Sequence, residues 1–132
     1  MKAVYLFTLL FIFIACNNDN YPKAENALDA GREFIDGCLK GDFKRAEFYM
    51  VKDGENNSEL LKLKNQYKEK SQEQQTSFYN ASIILNEDAA VSDTVHIINY
   101  MNSYDKIGRK VKVVLRNNIW LVDFKYTFSG NL

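Results

Sequence analysis

Apolar residues are distributed along this chain in three successive regimes. From Ala3 to Ile14 they are nearly continuous, with Thr8 as a polar interruption and Lys2 in front. From Pro22 to Tyr67 they recur every three or four residues, and beyond Phe78 they alternate with polar ones. The first regime is too short to cross a hydrocarbon core, which takes about 20 apolar residues. It matches the apolar segment of a secretory leader, roughly 7–15 residues behind a basic start. A core helix would keep one polar face, and this stretch has none.

The second regime predicts helices. Pro22 suits a first helical turn, where its missing N–H would have no partner anyway. Ala24, Ala27, Leu28, Gly31, Phe34, Ile35, Cys38 and Leu39 fall on one arc, with Glu25, Asp29, Arg32, Glu33, Asp36 and Lys40 outside it. Gly41 ends that helix and Asp42 can cap the next, whose short stripe is Phe43, Ala46 and Met50. Residues 51–57, with Asp53-Gly54, read as a turn. A third helix is predicted from about Asn56, with Glu59 completing a capping box and Leu60, Leu63 and Tyr67 as its stripe. The stripe continues into Ser71 and Gln74, which predicts a helix that ends there or runs out into solvent, with the rim of a cavity as the alternative.

The third regime predicts four strands, at 77–85, 89–100, 106–116 and 119–128. Asn117-Asn118 suits a two-residue hairpin turn, because Asn tolerates positive φ. That register sets Leu115 opposite Trp120, Val113 opposite Val122 and Val111 opposite Phe124 on one face. Val114 faces Leu121 and Lys112 faces Asp123 on the other. Helices followed by an antiparallel meander make an α+β plan.

Charge and composition narrow the function. The 132 residues carry 17 basic and 17 acidic side chains, so no basic surplus exists to neutralise phosphates and nucleic acid is not an expected partner. Nine Phe, eight Tyr and one Trp give a small domain much aromatic surface to bury or to line a pocket with. No Gly-rich phosphate loop, CxxC pair or HExxH motif occurs, so neither a metal nor a cofactor is expected. His96 is the single histidine; its strand puts it on a face with Thr94, Ile98 and Tyr100, and it is one candidate acid–base group. Asp123 is a second, if burial raises its pKa; its plainer role is a cross-strand ion pair with Lys112. Cys38, inside the first helix's apolar stripe, reads as a buried structural thiol.

Two stretches resemble known proteins. Phe13-Ile14-Ala15-Cys16 resembles a bacterial lipobox, which implies a leader at 1–15, a lipidated Cys16 and a tether at 16–21. It also implies attachment to the cell envelope, at the outer membrane, with residues 22–132 as the folded domain. ALDAGREFIDGCLKGDFKRAEFYM and NNIWLVDFKY resemble the first helical pair and the last strand of NTF2-like (cystatin-like) domains of small Bacteroidetes envelope lipoproteins. That resemblance implies helices packed on a curved four-stranded sheet, forming a cone whose open end can hold a ligand. The function expected from it is non-catalytic binding of a small apolar ligand or a partner protein. Phe34, His96, Tyr100, Trp120, Phe124 and Tyr126 are the candidate lining residues. The alternatives are an isomerase or dehydratase using His96 and Asp123, and a structural subunit of an outer-membrane assembly.

Overall fold

Asn26, four residues after Pro22, sets where the first helix begins. In this computed structural model, which describes residues 20–128, its side chain accepts the Asp29 amide at 2.8 Å. The cap satisfies a donor that Pro22 merely lacks, so Pro22 stays in irregular chain ahead of α1 (Ala27–Leu39). The leader at 1–15 and Cys16 lie outside the described residues. Gly41 leaves α1 at a φ of 71°, where only glycine is unstrained, and Asp42 caps α2 (Phe43–Phe48) by accepting the Arg45 amide at 3.2 Å.

Two boundaries differ from the pattern. Helix α3 (Gly54–Glu69) is capped by Asp53, not by Asn56, because Asp53 Oδ1 accepts the Asn56 amide at 2.8 Å. Ser71 and Gln74 do not carry α3 into solvent. They form a reciprocal capping box that starts a separate helix, α4 (Gln72–Tyr79), which occupies the start of the strand expected at 77–85.

Four antiparallel strands follow in the order β1 (Ile83–Ser92), β2 (Val95–Asn102), β3 (Arg109–Arg116) and β4 (Ile119–Asp123). The strand expected at 89–100 is two strands, parted by a turn at Asp93–Thr94. The polar residues 86–88 lie inside β1, whose pairing to β2 absorbs them through a register shift between Leu85 and Glu87. The last hairpin has the expected register: Leu115 faces Trp120, Val113 faces Val122 and Lys112 faces Asp123. Asn117 and Asn118 have φ of 50° and 60°, as a mirror-image hairpin turn requires.

The last strand stops at Asp123 instead of running to 128. The Lys125 amide donates to Asn56 Oδ1 at 2.7 Å rather than to a sheet partner, and the chain turns into a 3-10 helix, Phe124–Phe128. Asn56, fully buried, also donates from Nδ2 to Asp123 Oδ1 at 3.0 Å and to Asp53 Oδ2 at 3.2 Å. One amide therefore joins the start of α3 to the end of the sheet. The open edge of β4 is covered too: Val51 N–H donates to the Val122 carbonyl at 2.9 Å, and Val122 N–H to the Tyr49 carbonyl at 2.8 Å.

Helix α1 packs on one face of this open sheet, giving an α+β domain with its core between them. Its stripe runs from small residues (Ala27, Ala30, Gly31) to large ones (Phe34, Ile35, Leu39), against Ile98, Val111, Val113, Val122 and Phe124. At Gly31 the approach is closest: a Cβ there would lie 2.6 Å from Ile98 Cδ1. Among the described residues no helix is long and apolar enough to cross a membrane.

Two substitutions test this framework. Gly31→Val should destabilise the domain by about 3 kcal/mol in denaturant unfolding, and Ile98→Ala in the same chain should recover part of that loss. Additive losses in that cycle would mean the two residues do not meet. Asn56→Leu strands the Asp123 carboxylate and the Lys125 amide without their buried partner, at about 2–4 kcal/mol; a loss below about 1 kcal/mol would refute the clamp.

Candidate functional site

Where α1's side chains become large, the helix and the sheet no longer close on each other, and a cavity of about 300 Å³ remains. Phe34, Ile35, Cys38 and Leu39 of α1 form one wall, Leu63, Gln66 and Tyr67 of α3 a second, and Phe78 of α4 a third. Tyr100, Asn102 and Arg109 come from the ends of β2 and β3, and Phe124 and Thr127 from the 3-10 helix. Ring contacts hold the walls in place. Phe34 and Phe124 have centroids 4.9 Å apart, Tyr67 packs edge-on against Phe43 at 5.6 Å, and Phe78 meets Tyr104 at 4.9 Å. The α3–α4 joint is tied by Gln75, whose amide donates to the Tyr67 carbonyl at 3.0 Å and to the Lys70 carbonyl at 3.3 Å.

The cavity is apolar along most of its length and polar at one end. Every fully enclosed side-chain polar atom among the described residues has a hydrogen-bond partner. Tyr100, only 8% exposed, lines the cavity, and its hydroxyl bonds no protein group among the described residues. Arg109 is the cross-strand neighbour of Tyr100. Its guanidinium donates to Asp105 at 3.1 and 2.6 Å and to the Ile107 carbonyl at 3.1 Å. Those three bonds leave two of its five N–H groups unused. Asn102, also nearly enclosed, holds the turn behind this pair by accepting the Tyr104 and Asp105 amides at 3.0 Å each.

Electrostatics fix the protonation of these groups. Burial, reinforced by the nearby Cys38, pushes the Tyr100 phenol above its usual range, and burial also pushes the Cys38 thiol up. Hydrogen bonds to Asp105 raise Arg109 further. Burial alone would raise the Asp105 carboxyl, but the bonds from Arg109 and the Ile107 amide hold it below the usual carboxylate range. Near neutral pH the cavity therefore presents a phenol O–H, a thiol S–H and a guanidinium, all donors.

Of the residues singled out from sequence, Phe34, Tyr100 and Phe124 meet in this cavity. His96 and Trp120 lie elsewhere on the same sheet face, their rings edge-to-face at 5.3 Å, with His96 Nδ1 2.7 Å from Asp88 Oδ1. Tyr126 lines a separate, open groove with Asp123, Lys112 and Gly54 at the start of α3. His96 and Asp123 do not converge. His96 pairs through Val113 to Val122, so Asp123, the next residue along β4, points to the opposite face. Nor does Asp123 pair with Lys112: its carboxylate bonds Asn56 and lies 3.7 Å from Lys125 Nζ, while the Lys112 ammonium sits 5.9 Å from the Tyr126 ring centroid. Cys38 is on the expected stripe but partly exposed in the cavity wall, not sealed in the core.

Several lining residues were not anticipated. Phe78 was hidden by its assignment to a strand, and Arg109 by its place at the frayed start of one. Their only sequence signals were the Ser71-x-x-Gln74 box that begins α4 and the Asp105/Arg109 spacing beside a strand end. No protein family, curated protein or solved structure matches this chain.

Proposed function

We propose that this chain is an envelope lipoprotein whose NTF2-like domain binds a small, largely apolar molecule in the cavity between α1, α3 and the sheet. The observation that carries the reading is the cavity of about 300 Å³ itself, with mostly apolar walls and the Tyr100 hydroxyl and Arg109 among its few polar groups. Pockets with apolar walls and a few convergent polar groups are the usual form of small-molecule sites. The order of elements, helices first and then a four-stranded antiparallel sheet, is compatible with the NTF2-like plan. Binding without chemistry is favoured by the protonation states. A general base works best with a pKa near the working pH, and Tyr100, Cys38 and Arg109 are all shifted away from it. The isomerase or dehydratase alternative needs His96 and Asp123 on one substrate, and they occupy opposite faces. Attachment rests on the lipobox-like sequence ending at Cys16, as multiple acyl chains suffice for stable anchoring.

Octan-1-ol is a suitable neutral probe. At about one hundred times its dissociation constant it should stabilise the full chain by about 2.7 kcal/mol, seen as a rise in melting temperature. Leu63→Trp, which fills the cavity, should abolish that rise, and Phe78→Trp serves if the first variant does not fold. No rise for the parent chain, or an equal rise in a filled variant, would defeat the reading. For the anchor, Cys16→Ala should move the protein from the membrane to the soluble fraction and end its labelling by radioactive fatty acid. Continued membrane residence would remove the lipoprotein assignment.

A further inference from the structure

We infer that the cavity selects small amphipathic carboxylic acids, with the carboxylate against the Tyr100 hydroxyl and Arg109 and the apolar tail along Phe34, Leu63 and Phe124. This rests on the cavity being the binding site and goes further by naming the chemical class of its occupant.

The charge of the lining points that way. Lys70 and Arg109 are the charged residues on the cavity wall, and no carboxylate lies among the lining side chains. Asp105 compensates Arg109 from behind, but Lys70 forms no ion pair among the described residues; its ammonium sits 5.1 Å from the Phe78 ring centroid. The wall thus keeps an uncompensated positive charge around an apolar space, which favours an anion over a neutral or cationic guest.

The donor geometry agrees. Tyr100 and Arg109 are directly paired across β2 and β3, so their side chains leave the sheet on one face, and both line the cavity. A carboxylate accepts only, has two oxygens and suits two adjacent donors. An alcohol also accepts, but through one oxygen and without charge. Phe34, Leu63 and Phe124 offer the apolar contact that takes the tail.

The test compares octanoate with octan-1-ol, equal in chain length and different in headgroup, by calorimetric titration of the full chain at pH 7. Octanoate should bind at least about 10-fold more tightly, which corresponds to about 1.4 kcal/mol. Tyr100→Phe should reduce that ratio to about 3-fold or less. Lys70→Gln should lower the octanoate preference and its sensitivity to salt. Equal affinity for the two probes would overturn the acid selectivity and leave the apolar pocket standing. Binding of neither would overturn the pocket itself. A preference that survives both Tyr100→Phe and Arg109→Gln would place the headgroup elsewhere and also overturn the inference.

Discussion

The distance between α1 and the sheet governs everything else in this domain. It is set by side-chain volume along one helical stripe. At Gly31 there is no Cβ, and the helix backbone comes down onto Ile98; three residues later Phe34 begins to hold it away. Ridges of unequal height on one helix cannot lie parallel to a flat partner, so the interface opens toward the Cys38 end. The cavity is the space this taper leaves, and it is not a packing defect. Its walls are braced by ring contacts and its fully enclosed polar atoms are all satisfied.

The two polar groups at the Tyr100 end of the cavity differ in what holds them. Tyr100 is packed into the core by its ring, while its hydroxyl bonds no protein group among the described residues. The Arg109–Asp105 pair behaves differently, because it satisfies both charges without any guest. Its depressed carboxyl contributes stability above the ordinary carboxylate range, which is lost as pH falls through the folded value.

Much of the fold was legible in the sequence where a local signal and a long-range one agreed. The Gly41-Asp42 break, the Asn117-Asn118 turn and the β3–β4 register follow from backbone conformations that few residues tolerate, supported by alternating burial. Helix α4 was missed because Ser71 and Gln74 fit two descriptions, a stripe turning polar and a capping box. The box prevailed because it satisfies two backbone donors that a frayed end leaves to water. The β1 strand was misplaced because Asn86, Glu87 and Asp88 look like a loop; Asn99 and Ile98 of β2, paired with Glu87 and Asp88, hold the segment in the sheet. For the site, alternation identified which residues face the helix but not how far along the strand they sit. Tyr100 and His96 share a face four residues apart, yet one lies in the cavity and the other beside Trp120. Pattern gives the face; only packing gives the depth.

Rigidity is distributed unevenly around the cavity. The floor is locked: Asn56 joins α3's first turn to Asp123 and Lys125, and Thr127 donates to the Lys110 carbonyl at 2.7 Å. The clamp sits at α3's beginning, whereas Leu63, Gln66 and Tyr67 line the cavity from its later turns. Helix α4 follows with no buried residue of its own, held through Phe78, its capping box and the Gln75 amide. Elements with little buried apolar surface open at the smallest free-energy cost. Local opening is therefore cheapest at α4, beside Phe78 and Lys70, while the Asn56 clamp holds the start of α3 to the end of the sheet.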